Sequence, residues 1–280
     1  MSVHLSHGEI TEKSKLLPAF PQVVNRILET IDDDNSTLGE LVEFIERDPV
    51  ITARVVALAN SASLLGRHEV KLGDVYTATS LIGMEKLREV VVGTSLAEFA
   101  RSAHVSSYFW QHSVAVGVCA QELAKHAEIS TDFAFVSGLL HDMGQLWFAR
   151  FYPLEFQIAR QRAVAGLMTM VEAEQNQFGM DHCLVGRYVG EQWGLPAGIL
   201  DAIAHHHHPE GDHLEKIVSI THVAEVVSNA LNLGHREGNQ VSYLSPAACA
   251  QLHIDFTEDL QHMFGRMEAR AEYACYVFRK

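Results

Sequence analysis

The sequence predicts an all-α protein, and three observations lead there. Apolar residues recur at three- and four-residue spacing along most of the chain. No segment has the clean two-residue alternation of a surface strand. Asp, Ser and Pro stand where helices would start, and glycines where they would end or cross closely. Val70–Val75 and Val90–Val92 favour strands by propensity but are too short to force a sheet.

Residues 1–15 are polar and expected to fray. Leu16-Leu17-Pro18-Ala19-Phe20-Pro21 makes a stiff entry to a helix that starts near Pro21, with Val23, Val24, Ile27, Leu28 and Ile31 on one face. After a turn at Asp32–Ser36, Ser36 or Thr37 caps a second helix carrying Leu38, Leu41, Val42 and Ile45. Asp48-Pro49 opens a third, which ends near Asn60-Ser61-Ala62. Helices over 77–87 and 89–99 complete the first half. In the second half the pattern predicts helices over 106–127, 132–149, 153–173, 181–193, 196–207, 213–232 and 245–251. Glycines 138, 144, 166, 186, 190, 194 and 198 mark their ends or close crossings. The tail after Gly234 is expected to hold one or two short helices.

A chain of 280 residues, 48% hydrophobic and 20% charged, can bury a sizeable core. Its formal net charge of −14 disfavours phosphate backbones and anionic membranes. The longest uncharged run, Ser102–Gln121, carries His104, Gln111 and His112 and makes a poor membrane span. Cys119, Cys183, Cys249 and Cys275 form no CxxC and are expected to be reduced, mostly buried thiols. With no signal-peptide pattern at the start, a cytoplasmic location is expected. Phosphate-loop, dinucleotide, HExxH and GxSxG motifs are all absent.

Histidine is in excess, at 17 residues. Several fall at similar depths in successive helices. His112 lies among Val114, Val116 and Cys119; His141-Asp142 follows an apolar run; His182 opens a helix; His205–His208 end one. Glu225 is almost the only acid in the apolar stretch Ile217–Val227. A buried imidazole or carboxylate needs a partner. An adjacent His-Asp pair at a helix end, joined by a histidine and a carboxylate from neighbouring helices, suits a first-row transition metal with room for water. His182 and the His206/His207 pair could serve a second ion, with Asp142 as a bridge. The plainer alternative is that these histidines satisfy the core locally or cap helix C-termini. His222 fits either description.

The order of these motifs resembles the HDOD family, a branch of the HD superfamily of metal-dependent phosphohydrolases. The stretches that carry the resemblance are Leu16–Pro21, Ile45–Val55, Ala59–Ala62, Ala78–Gly83, Trp110–Ser113, Gly138–Gly144, Asp181–Gly186, Trp193–Pro196 and Ala202–Pro209. The resemblance implies an HD-type helical core with an N-terminal helical bundle. The bundle would span 16–102, the metal-site domain 103–233 and a helical tail 234–280. It implies a metal set of His112, His141, Asp142, His182, His206, His207 and Glu225, with the register of the four-histidine run open by one. It would hold one or two ions of Fe, Mn, Ni or Zn. His141 and Asp142 would be the catalytic pair of any hydrolase.

Departures from the pattern bear on function. Related cyclic-dinucleotide phosphodiesterases have Lys where Gln145 stands, and a Gly-Tyr-Pro signature missing here. Glu225 replaces the usual Asp, and Tyr108 stands where dinuclear enzymes can supply a Glu. The expectation is therefore a bacterial signal-transduction or regulatory protein with a vestigial or structural metal site, binding protein partners and able to form a homodimer. The alternative is a metal-dependent phosphohydrolase acting on a phosphate ester or nucleotide. Nucleic acid is disfavoured by the charge.

Overall fold

A computed structural model describes residues 3–17, 26–30, 38–46, 51–53, 55–57, 59, 75–102, 107–211, 215–234, 243–256 and 260–279. All regular structure among these residues is helical. The expected boundaries at Pro18–Pro21, Asp48-Pro49 and Asn60–Ala62 lie outside the described residues, as do Val70–Asp74. No helix among the described residues is long and apolar enough to cross a membrane.

The helices in chain order are α1 (His7–Ser14), α2 (Leu38–Glu46), α3 (Val75–Ile82), α4 (Met84–Ser102), α5 (Ser107–Ala124), α6 (Thr131–Leu140) and α7 (Met143–Phe151). Then come α8 (Pro153–Val164), α9 (Met170–Phe178), α10 (His182–Gln192), α11 (Ala197–His205), α12 (Lys216–Ala230), α13 (Pro246–Gln251) and α14 (Gln261–Arg279). The chain divides into two compact units. One holds residues 1–18 and 99–275, the other 19–98 and 276–280.

In the smaller unit α2 packs on α3. Ile27, Leu41, Ile45, Val55, Ala78 and Leu87 are buried without measurable exposure. Residues 26–30 are helical, and Arg88 donates to the Thr30 carbonyl. The break between α3 and α4 falls at Gly83, φ +80, not beside Arg88 as the spacing predicts.

The larger unit is built around α12, in which every residue from Ile217 to Asn229 is buried. A helix apolar nearly all round belongs in the centre of a bundle. It packs on α5, α6, α11 and α13; α5 pairs with α6, and α10 with α7 and α11. Glycines set two of these crossings. A Cβ on Gly138 would lie 2.9 Å from the Gly117 Cα, so α5 and α6 meet backbone to backbone. A Cβ on Gly144 would sit 2.0 Å from the His182 carbonyl oxygen, so only glycine lets α7 approach the start of α10.

Four expectations are corrected. The first fifteen residues do not simply fray. Ser6 caps α1, Ile10 is fully buried, and Ser14 Oγ accepts from Trp147 Nε1 at 3.1 Å. Val3 and Leu5 donate to the Gln177 and Phe178 carbonyls at 2.8 and 3.1 Å. The 132–149 segment is two helices, broken at His141-Asp142, where Asp142 adopts φ −97, ψ 14. The 153–173 segment is also two. Gly166 takes φ +70, and Thr169 with Glu172 forms a reciprocal capping box that starts α9. The tail holds the 19-residue α14, longer than expected, with Met267 and Ala271 buried on one face.

Candidate metal centre

Six helix ends or faces bring the seven predicted residues together within the larger unit. His112 projects from α5, His141 ends α6, and Asp142 begins α7. His182 is the first residue of α10. His206 is the C-cap of α11 with His207 next, and Glu225 lies on α12.

Asp142 is the hub. Its Oδ2 lies 3.7 Å from His112 Nε2 and 3.4 Å from His141 Nε2. Its Oδ1 lies 3.2 Å from His182 Nε2 and 3.9 Å from His206 Nε2. Glu225 Oε2 closes the far side, 3.9 Å from His206 Nε2 and 3.7 Å from His207 Nδ1. The register of the histidine run follows from where α11 stops. His206 is buried and His207 half-buried against Glu225, while His205 and His208 are exposed. His205 Nδ1 turns back to the Asp201 carbonyl at 3.0 Å.

The ring tautomers are decided by what each Nδ1 meets. His141 Nδ1 is 2.6 Å from the Gly138 carbonyl, and His206 Nδ1 is 2.9 Å from that of Ile203. A carbonyl only accepts, so both Nδ1 atoms carry hydrogen, and in each neutral ring the Nε2 lone pair faces inward. Among the described residues neither Nε2 has a hydrogen-bond partner, nor does Glu225 Oε2, although all three are buried. Ligand atoms of His141, His206 and Glu225 lie within 4.8 Å of one another, as do those of His112, His141 and Asp142. Buried acceptors facing acceptors are a costly arrangement. A cation is the species that satisfies them, so the residues present fit a divalent transition metal.

His222 is the counter-example on the same helix as Glu225. Its Nδ1 donates to the His206 carbonyl at 2.6 Å, and its Nε2 accepts from Ser245 N at 3.0 Å. Both nitrogens are satisfied by the protein. His222 therefore props the backbone of His206 from behind.

The charges follow the same geometry. Burial lowers the pKa of His206 well below the ordinary histidine value, helped by His207 and opposed by Glu225. That keeps the ring neutral, as a ligand must be. Burial also works to lower His141, but the Asp142 and Glu225 carboxylates and the Gly138 carbonyl together outweigh it and raise it.

One residue of the candidate site was missed from the sequence. Glu174 of α9 is fully buried. Its Oε2 lies 2.5 Å from His182 Nδ1 and accepts from the His182 backbone N–H at 2.8 Å. Burial raises the Glu174 pKa against the pull of His182. Burial of His182 is overcome by Glu174, which holds the imidazole well above its ordinary value. The Nδ1–Oε2 hydrogen bond joins the pair, and Glu174 aims the His182 Nε2 at Asp142. Carboxylates behind ligand histidines do this in metal sites generally. The available signal was a Glu and a Gln on the buried face of α9, beside Ala173 and Phe178. Gln145 also takes a definite place. Its Nε2 donates to Asp142 Oδ1 at 3.0 Å, within the core.

Comparison with known proteins agrees with this architecture. An HDOD domain protein of unknown function from Geobacter sulfurreducens matches with a TM-score of 0.77 and 24% identity, over 97% of this chain and 96% of that one. A candidate phosphohydrolase from Shewanella amazonensis matches with a TM-score of 0.71 and 22% identity, over 96% and 97%. Both likenesses speak for the fold. An uncharacterised protein of Treponema pallidum is 23% identical over 212 residues, which is 71% of this chain and 39% of the relative. The chain thus spans about two fifths of the length of that curated relative. The HDOD domain model matches residues 17–209, from just after α1 to just past the histidine run. By that match, the chain belongs to the HDOD domain family.

Proposed function

We propose that this chain is a regulatory HDOD protein in which the His/Asp/Glu cluster holds a divalent transition metal as part of the fold, while the surface engages protein partners in signalling. The observation that supports this most is the closure of the cluster. His141, His182 and His206 are 0% exposed, His112 and Asp142 1%, and Glu225 3%. Only His207 reaches solvent, at 19% of its side chain. A hydrolase must admit a phosphate ester to its ion, and concave access is the mark of such sites. The amide of Gln145, spent on Asp142, adds to the argument. A neutral amide cannot offset developing phosphate charge as a Lys would.

The second reading is a phosphohydrolase, favoured by the completeness of the donor set. Such an ion, when bound, supplies a polarised water as nucleophile. The chain would supply His112, His141 and Asp142 to hold it, Glu174 to orient His182, and Glu225 to balance charge.

The test is metal content and activity together, on untagged protein. Wild type should carry near-stoichiometric transition metal, and His141→Ala/Asp142→Ala should lose it. Neither should hydrolyse phosphomonoesters or linear and cyclic nucleotides with added Mn²⁺, Fe²⁺ or Ni²⁺. Hydrolysis by wild type that disappears in the double variant would replace the structural reading with the enzymatic one. Trace metal in both, even after reconstitution under reducing conditions, would end both.

A further inference from the structure

The hairpin of α8 and α9 turns an apolar stripe outward. Phe156, Ala159 and Ala163 share the inner face of α8, and all three are buried. Ala159 and Ala163 pack with Ala173 and with Met168 and Met170 in a small core of their own. Leu154, Ile158, Gln161 and Ala165 fall on the opposite face, at alternating spacings of four, three and four residues, and all are exposed. Leu154 is 71% exposed and Ile158 39%, followed by Val164 at 52% and Leu167 at 71%. So dense a run of exposed large apolar side chains differs from the scattered singles of an ordinary surface.

Alternating four- and three-residue spacing is that of a seam between two helices. The flank of the stripe indicates the partner. Glu155 stands in the first turn of α8 and Arg162 in the last. Seven residues apart, they lie on the same side of the stripe, about 10.5 Å from each other along the axis and too far for an ion pair within the helix. In an antiparallel pair the first turn of one helix lies against the last turn of the other, and flanking charges set that orientation. Two copies of α8 about a two-fold axis therefore bring each Glu155 to the Arg162 of the other copy, twice over. The same register sets Leu154 against Ala165 and Ile158 against Gln161 across the seam. A lipid surface is the poorer occupant, because Glu155 borders the stripe and the chain carries a net charge of −14.

We propose that α8 is the contact between two copies of this chain, packed antiparallel about a two-fold axis, with Leu154 and Ile158 in the seam and Glu155 paired to Arg162 across it. This goes beyond the proposed function in naming a second copy as a partner, and it stands whether or not the cluster binds metal. One pair of short helices belongs at the small end of specific interfaces, so the association depends on concentration. The seam lies on the back of the hairpin whose other helix, α9, carries Glu174 behind His182.

The experiment is sedimentation velocity on the full chain from about 1 to 500 μM, the range of weak specific association. Metal content and circular dichroism are read alongside. Wild type should pass from monomer to dimer. Leu154→Glu and Ile158→Glu alter exposed side chains, so circular dichroism and metal content should hold while each weakens the dimer about tenfold or more. Glu155→Arg or Arg162→Glu alone should weaken it about threefold or more, since both symmetric pairs are lost. The combined Glu155→Arg/Arg162→Glu exchange should restore it to within about twofold of wild type, because the pairs re-form with their signs reversed. A monomer at every concentration would overturn the proposal, even if another protein covers the stripe. A dimer indifferent to Leu154→Glu and Ile158→Glu would place the contact elsewhere and overturn it too. Failure of the combined exchange to restore association would overturn the antiparallel pairing. Trace metal in a dimer that those variants break would end the metal reading and support this one.

Discussion

Helix α5 carries a buried polar cluster at each end, and the two solve the problem of burial in opposite ways. Near its end, Glu122 is fully buried. Its Oε1 accepts from Arg266 Nε at 2.5 Å; its Oε2 accepts from Lys125 Nζ at 2.7 Å and Arg270 Nη1 at 3.1 Å. Arg270 also reaches Gln121 Oε1. Burial would raise the Glu122 pKa, but Lys125 and Arg266 outweigh it and hold it below the ordinary carboxylate value. Every acceptor lobe used there meets a donor from the chain itself. Near the start of α5, His112 enters a cluster where acceptors meet acceptors. The Nδ1 hydrogens of His141 and His206 are spent on backbone carbonyls, and their Nε2 lone pairs converge with the carboxylates of Asp142 and Glu225. Burial of charge is common to both ends. What sets one apart is acceptor capacity at His141 Nε2, His206 Nε2 and Glu225 Oε2 that no donor among the described residues takes up, and a cation is the natural complement.

That contrast can be broken at its strong end first. A ligand that binds only the folded state stabilises it by about 4 kcal/mol at a thousand times its dissociation constant. Chelating the metal from wild type under such conditions should lower its stability by about that amount in calorimetry. The same treatment should barely move Asp142→Ala. An equal response from both proteins would detach the metal from this cluster. Next is Gly144→Ala. The new Cβ would meet the His182 carbonyl at 2.0 Å and the Gly186 nitrogen at 2.8 Å, both backbone atoms that cannot rotate aside. Separating α7 from α10 should cost about 3 kcal/mol, the upper part of the range for overpacking. It should also displace His182 and reduce metal content. Gly265, with nothing within 4 Å of a built Cβ, is the control in which alanine should be tolerated. A destabilised Gly144→Ala that retains full metal would show that the α7–α10 contact does not position the site.

How much of this was legible before the structure depends on whether a feature is local. His141-Asp142, His112 and His182 sit beside their own signals, an apolar helix or a cap. Glu225 stood out as an acid inside an apolar run. The pairing of His206 and His207 needed one further fact, the point at which α11 ends, because a helix end aims successive side chains differently. Glu174 escaped because its partner lies eight residues on, across the turn at Gly179. The break between α6 and α7 escaped because the apolar periodicity from Phe135 to Phe148 runs through it with no proline. The turn is made at Asp142 itself, with φ −97 and ψ 14. The N-terminal helix escaped because its few apolar side chains acquire meaning only against α10 and the Trp147 indole.

The weaker end of α5 supplies the smallest effect and the sharpest sign. Glu122→Gln keeps the shape and removes the charge. Its partners Arg266 and Arg270 have side chains 51% and 27% exposed, so they can turn to water. The loss should therefore be about 1–2 kcal/mol, below that of a fully enclosed pair. Metal content should not change, which a swap at Asp142 could not achieve. The pH dependence follows from linkage. Because the folded pKa lies below the ordinary value of 4.5, Glu122 contributes stability at pH above that value. The contribution is lost as pH falls through the depressed folded value. In metal-free protein, so that ligand protonation does not intrude, wild type should lose its advantage over Glu122→Gln across that acid window. The two curves should run parallel from pH 6 to 8. A difference that persists unchanged through the acid window instead would mean that the arginines are held by something other than the Glu122 charge.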